Sequence, residues 1–163
     1  MDQVDRILEQ WRQQRPELDV APMGTIGRMK RLGMHLSQSM EQVFGDYGLN
    51  NASFDVLATL RRAGAPFALS PSQLIDWTMV TSGTMTHRID RLEARGLVTR
   101  ERAVHDGRAS VVRLTEAGFG LIDTVVSAHV ANQHQALAAL DDEERAELDR
   151  LLRKWLGGFE HGD

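Results

Sequence analysis

The chain has no cysteine, only four prolines and few aromatic residues, 6% in all. Without a thiol there is no disulfide framework, no thiolate metal site and no cysteine nucleophile, a composition compatible with a reducing compartment. So few prolines leave no long rigid linker. Missing too is any apolar run near the roughly 18 residues that a membrane helix needs. Residues 1–16 lack a basic start followed by a continuous apolar stretch, so no secretory leader is expected and a cytoplasmic protein is. Positive charge is in deficit: 19 Lys and Arg stand against 23 Asp and Glu, for a net charge of -4. That excludes a uniformly basic coat, though not a local basic surface. What is present is 163 residues, 42% apolar and 26% charged, enough to bury a real core and too apolar for wholesale disorder.

Apolar spacing predicts helices along most of the chain. Val4, Ile7, Leu8 and Trp11 mark one face of a short helix that Pro16 should end; its length is marginal in isolation, so it must dock. Pro22 suits the first turn of a second helix, continued by Ile26, Met29, Leu36, Met40 and Val43 and stopped by Gly48. Gly24, Gly27 and Gly33 weaken this helix but permit another element to approach closely. A third helix runs through Phe54, Val56, Leu57 and Leu60. Farther on, Thr115 can cap a long helix, and Asp141 with Glu144 forms a capping box ahead of Leu148, Leu151, Leu152, Trp155 and Leu156. These terminal helices, with residues 2–47, read as a dimerisation layer or a core around a ligand.

The middle of the chain is the most informative. Ser70-Pro71-Ser72-Gln73 combines an N-cap, Pro at the first helical position and Gln three residues after the cap. After a short break, Thr81 or Ser82 can cap a helix with Met85, Ile89 and Leu92 facing inward and Gly96 as its stop. Two short helices with a tight connection form a helix-turn-helix. Extended segments at Leu97–Thr99 and Val111–Leu114, joined by an Asp106-Gly107 turn, place a two-stranded wing directly behind it. Residues 81–108 hold six Arg and four acidic residues, whereas the remainder is acidic. Positive charge thus collects where phosphate neutralisation would need it. Ser82, Thr84, Thr86, His87 and Arg91 are the outward residues of the second helix, and Arg108 at the wing tip can reach a minor groove. Asp106 can orient Arg108 or simply satisfy the turn. An ordinary polar face is the alternative reading of all these positions.

A second constellation lies on the third helix. Asp55 and Arg62 are seven residues apart, near one angular face and roughly 10 Å apart along the axis, so a small polar ligand can lie between them. Arg88 sits between the inward and outward faces of the proposed recognition helix and can link that helix to the ligand region, while Arg61 reads as a solvent residue. An Arg would meet an anionic oxygen through a forked contact, Asp55 would accept a donor, and Trp11 would cover an aromatic ring. Satisfied scaffold charges are the plain alternative. The inventory binds rather than catalyses: no activated nucleophile, phosphate-cradling loop or metal cluster accompanies it. His129 and His134 are five residues apart and make only a weak zinc motif. No metal and no cofactor are expected.

The order of elements, with "SGTMTHRIDRLEARGLVTR" at 82–100 and "DGRASVVRLTEAG" at 106–118, resembles the MarR family of bacterial transcription regulators over essentially the whole chain. The resemblance implies a mainly α fold with a small β-hairpin, a winged helix-turn-helix at 49–114, and helical dimerisation regions at 1–48, which also roofs a ligand pocket, and at 115–163. It implies a homodimer reading a pseudo-palindromic operator in double-stranded DNA, through recognition helices in major grooves and wings in minor grooves. Ala103 and Val104 depart from the acidic residue and Pro that many relatives carry, which implies a weaker brace for the wing; Asp106 and Arg108 match. The added N-terminal helix with Trp11, "FDVLATLRRAGAP" at 54–66 and Arg88 are similar to the urate-responsive branch, which implies an effector tetrad of Trp11, Asp55, Arg62 and Arg88. The expectation is therefore a non-enzymatic repressor released from DNA by a small aromatic anion, urate or a related purine first. An indole or phenolic carboxylate is the alternative effector, and a ligand or partner scaffold without DNA binding is the alternative of another class.

Overall fold

The computed structural model describes residues 1–78, 85–102 and 110–160 and divides into two compact units, Met1–Asn51 and Ala52–Asp163. In the first, α1 (Gln3–Gln14) lies against α2 (Ala21–Asp46). Asp2 and Asp5 form a reciprocal capping box at the start of α1, with bonds of 2.8 and 2.9 Å. Arg28 of α2 reaches back to both carboxylates, at 2.8 and 2.5 Å. Each carboxyl is held below its ordinary pKa, first by the backbone hydrogen bond of the cap and also by Arg28. Val4, Leu8 and Val20 make a small core, and the spacing of Gly24 and Gly27 now has its reason. A Cβ at Gly24 would lie 3.1 Å from Leu8, and one at Gly27 3.3 Å from Val4. The marginal first helix docks as expected, through apolar contact and an ion-paired end. Ile7 and Trp11, the rest of its apolar face, stay exposed in the single chain.

The second unit begins with α3 (Asn51–Arg62), then β1 (Ala68–Leu69), α4 (Pro71–Trp77), α5 (Met85–Ala94), β2 (Val98–Arg102), β3 (Ser110–Leu114), α6 (Glu116–Ala136) and α7 (Asp142–Glu160). Its core joins Val56, Leu57 and Leu60 of α3, Leu74 of α4, Met85, Ile89 and Leu92 of α5, Val98 and Val112 of the sheet, and Ile122 and Val125 of α6. The Ser70 capping box forms as the sequence predicts, and so does that of Asp141 with Glu144.

The sheet departs from the expected two-stranded ribbon. It has three antiparallel strands in the order β1-β3-β2, with Ala68 opposite Arg113 and Val98 opposite Leu114. The third strand is two residues long, too short to show a period of two in the sequence. Long-range contacts hold it: the Leu114 amide donates to Phe67 at 3.1 Å, and Arg113 to the Pro66 carbonyl at 2.7 Å. The Asp106-Gly107 turn lies outside the described residues.

One corner ties the end of α5 to α6. The Thr115 hydroxyl donates to the Gly96 carbonyl at 2.7 Å and accepts from the Gly118 amide at 2.9 Å. The Thr115 amide donates to Leu97 at 3.1 Å. Gly118 is required by this closeness, because a Cβ there would sit 1.9 Å from the Leu97 carbonyl oxygen. No described helix is long and apolar enough to cross a membrane.

Candidate nucleic-acid interface and ligand pocket

The second helix of the helix-turn-helix is α5. Its apolar stripe, Met85, Ile89 and Leu92, is at most 2% exposed, so the opposite face turns outward. Thr86, His87 and Arg91 are exposed on that face, as their spacing predicts. Ser82, Thr84, Asp106 and Arg108, the other expected DNA and wing positions, lie outside the described residues.

Not every arginine of this basic stretch is without acidic partners. Arg100 of β2 reaches Glu93 of α5 at 2.5 Å and also bonds Asp90, one turn away on the same helix. Its amide donates to Glu93 as well, at 3.0 Å. Local charge that reads as available for phosphate is therefore partly spent on joining the recognition helix to the first strand of the wing.

Three members of the expected effector set lie in the second unit: Asp55 and Arg62 on α3, and Arg88 on α5. Trp11 is on α1, in the first unit. Asp55 is half-buried, and burial raises its pKa; Arg88, then Arg62 and His129, pull it the other way without overcoming that penalty. Arg62 is exposed and donates to the Trp77 carbonyl at the end of α4. Arg88 is half-buried, and its Nη1 is a buried donor with no hydrogen-bond partner among the described residues. A buried guanidinium nitrogen left unsatisfied is costly unless something else completes it. A cleft of about 360 Å³ opens beside Arg88, lined by Ala52, His87 and Arg91 as well. That volume is within the range of small-molecule sites.

Two positions differ from their expected roles. Arg61 is not a free surface residue. It pairs with Asp123 of α6 at 2.6 Å, and its guanidinium lies 4.5 Å from the centre of the Phe119 ring and 5.4 Å from that of Phe67. His129 received no functional role from the sequence. It lies against Phe54, the neighbour of Asp55, with ring centres 5.0 Å apart. Burial holds its pKa below the ordinary imidazole value, against the pull of Asp55. Both contacts join α3 to α6 across more than sixty residues of chain, a separation that periodicity cannot bridge. No cluster of three or more His, Cys, Asp and Glu able to hold a metal ion occurs among the described residues.

Comparison with known proteins agrees with this geometry. The sequence model of the MarR family matches residues 47–109, from the turn before α3 to the wing. The HTH-type transcriptional regulator PecS of Dickeya dadantii is 43% identical over 92% of this chain and 90% of its own length. Among solved structures, Bordetella bronchiseptica BpsR, whose DNA binding is regulated by 6-hydroxynicotinic acid, is 28% identical with a TM-score of 0.69, over 79% of this chain and 90% of that one. A mutant MarR of Escherichia coli complexed with operator DNA is 25% identical with a TM-score of 0.70, over 84% and 95%.

Proposed function

Because the chain belongs to the MarR family of transcriptional regulators, we propose that it is a repressor released from its operator by a small aromatic anion, with urate or a related purine as the first candidate. It acts as a homodimer, one winged lobe on each half of a pseudo-palindrome. Thr86, His87 and Arg91, with Ser82 and Thr84, read the major groove, while Arg108, braced by Asp106, reaches the minor groove.

The observation that carries the ligand reading is Arg88. It shares α5 with the outward residues Thr86, His87 and Arg91, yet its buried Nη1 lacks a partner among the described residues, beside a desolvated carboxylate. An anion there satisfies the guanidinium through a charge-assisted contact, and an N–H of the same ring satisfies Asp55. Arg62 supplies the second cation. Trp11 belongs to this reading through the sequence resemblance alone. The ligand acts by favouring the arrangement of α5 that does not fit the duplex, since equal affinity for both arrangements shifts nothing. Each lobe must meet its half-site in register, so a small displacement of α5 removes several contacts at once.

A second effector class has support in the BpsR comparison, since 6-hydroxynicotinic acid, which regulates that protein, is a hydroxylated aromatic acid. In that reading an indole or phenolic carboxylate uses the two arginines and depends less on Asp55. Operator affinity measured at fixed salt, with and without saturating urate and then a panel of indole and phenolic acids, decides the matter. Weakening by urate supports the first reading, and weakening by the carboxylates alone supports the second. No change with any of them overturns the effector claim.

A further inference from the structure

We infer that effector and operator exclude one another at the same side chains. The anion sits in the cleft lined by Ala52, His87, Arg88 and Arg91 and takes a hydrogen bond from His87, so that a lobe holding it cannot present His87 and Arg91 to the duplex. The inference deepens the effector reading above and rests on it; it adds His87 to the ligand's contacts and names how release occurs.

The cleft and the outward face belong to one short stretch of α5. His87 and Arg91 are exposed and four residues apart, hence neighbours on the face opposite the buried stripe. Arg88 is half-buried, three residues before Arg91, and comes from the flank of that face. Ala52, in the first turn of α3, adds an apolar wall. Of the three described residues assigned to the major groove, Thr86, His87 and Arg91, two therefore border the cleft as well.

Charge makes the cleft an anion site. Two guanidinium groups and an imidazole line it, and none of the lining residues is acidic. The acids nearest to them on α5, Asp90 and Glu93, are held by Arg100. Arg88 Nη1 is buried and has no partner among the described residues, so an anion in the cleft offers its guanidinium an acceptor. A flat anion placed there acts on DNA binding in two ways. It fills the space beside His87 and Arg91 that a base edge or a phosphate would take. Its charge also cancels positive potential that the phosphates require. Exclusion at shared side chains has no upper limit: operator affinity falls for as long as ligand concentration rises. Coupling through movement alone saturates, typically at about 5–150-fold. Any displacement of α5 then adds to an exclusion already present.

The test joins two measurements on the full-length protein: operator affinity at fixed salt across a urate titration, and urate binding by calorimetry to wild type, His87→Ala and Thr86→Ala. In a dimer both lobes must be vacated. Raising urate from about three to about thirty times its dissociation constant should therefore weaken the operator by about a further sixtyfold, with no plateau. His87→Ala should weaken urate and operator binding by about tenfold each, the value of one hydrogen bond to a charged or base-edge partner. Thr86→Ala, exposed on α5 but not lining the cleft, should weaken the operator alone. A plateau in the operator titration means that protein, urate and DNA form one complex, which overturns the exclusion while the effector reading stands. Wild-type urate binding by His87→Ala, or equal losses of urate binding in both variants, overturns the contact assigned to His87. Absence of urate binding by the wild type removes the effector reading itself, and the inference with it.

Discussion

At the scale of single residues, the sequence locates groups better than it assigns their partners. Arg91 is exposed on α5 as its spacing from Ile89 and Leu92 requires, because helical periodicity alone decides which way a side chain leaves the axis. Arg91→Ala should weaken specific operator binding by about 1–3 kcal/mol, the value of one good base contact. Urate affinity should fall far less, although Arg91 also lines the cleft beside Arg88; equal losses in a gel-shift titration and in calorimetry would contradict the division of labour. Arg61 and His129 show the opposite case, since both are defined by α6, far along the chain. Asp55 was legible as an acid on the face of α3 shared with Arg62, but its desolvation was not. The folded state raises its pKa, so it binds the Asp55 proton more tightly than the unfolded chain does. By linkage, this group's contribution to stability falls as pH rises from about 4, the ordinary carboxylate value, through the folded value. Asp55→Asn abolishes that fall. The thermal midpoint of the variant should gain on wild type as pH goes from about 4 to 7, in the absence of ligand. A difference that stays constant or shrinks over this range would show that the cations outweigh burial. Loss of the urate response should accompany the gain, as expected where a functional acid is kept at a cost to stability.

At the scale of elements, the helices were readable wherever caps and apolar stripes coincide. Ser70-Pro71-Ser72-Gln73 is an example, and its capping box forms as expected. β1 was unreadable, because its two residues are strand only by pairing with β3. The joint between recognition helix and wing was hidden in another way. Arg100 counts as one of six arginines in a basic stretch, but its partners Glu93 and Asp90 lie seven and ten residues back on α5. In a helix-turn-helix with a wing, affinity depends on both parts meeting the duplex in one register, so this network has a positioning role. Arg100→Met removes the network and, on this account, no phosphate contact. Exposed pairs of this kind are worth up to about 1 kcal/mol, hence roughly a fivefold loss of operator affinity. The slope of log affinity against log salt should stay at its wild-type value, whereas losing a direct phosphate contact lowers it by about one. A lowered slope for Arg100→Met would make this residue a DNA contact instead.

For the whole molecule, the burden falls on what one chain leaves uncovered. None of the residues of α7 is buried, although Leu148, Leu151, Leu152, Trp155 and Leu156 give it a continuous apolar face. Leu151 is 47% exposed and Leu156 54%. An apolar stripe of this length on a helix is expected to be covered, and in the homodimer proposed above a second copy is its cover. Here the sequence was informative because periodicity reports which face is apolar, but periodicity cannot distinguish burial within a chain from burial between chains. The double variant Leu151→Glu with Leu156→Glu places four carboxylates in a two-fold interface. Sedimentation should then give a monomer where the wild type gives a dimer. Circular dichroism should retain the helical spectrum, since neither side chain belongs to the core of its own unit. Operator affinity should fall by about 10²–10⁴-fold, because the second half-site contact is no longer intramolecular. Affinity for an isolated half-site should be unaffected. A dimer that survives the four charges would place the interface elsewhere, and a monomer that holds the full operator as tightly as wild type would show that one winged lobe suffices. Urate binding separates a further possibility. If the monomer binds urate with wild-type affinity, the ligand site is complete within one chain, and release of the operator comes from moving two finished sites rather than from building a shared one.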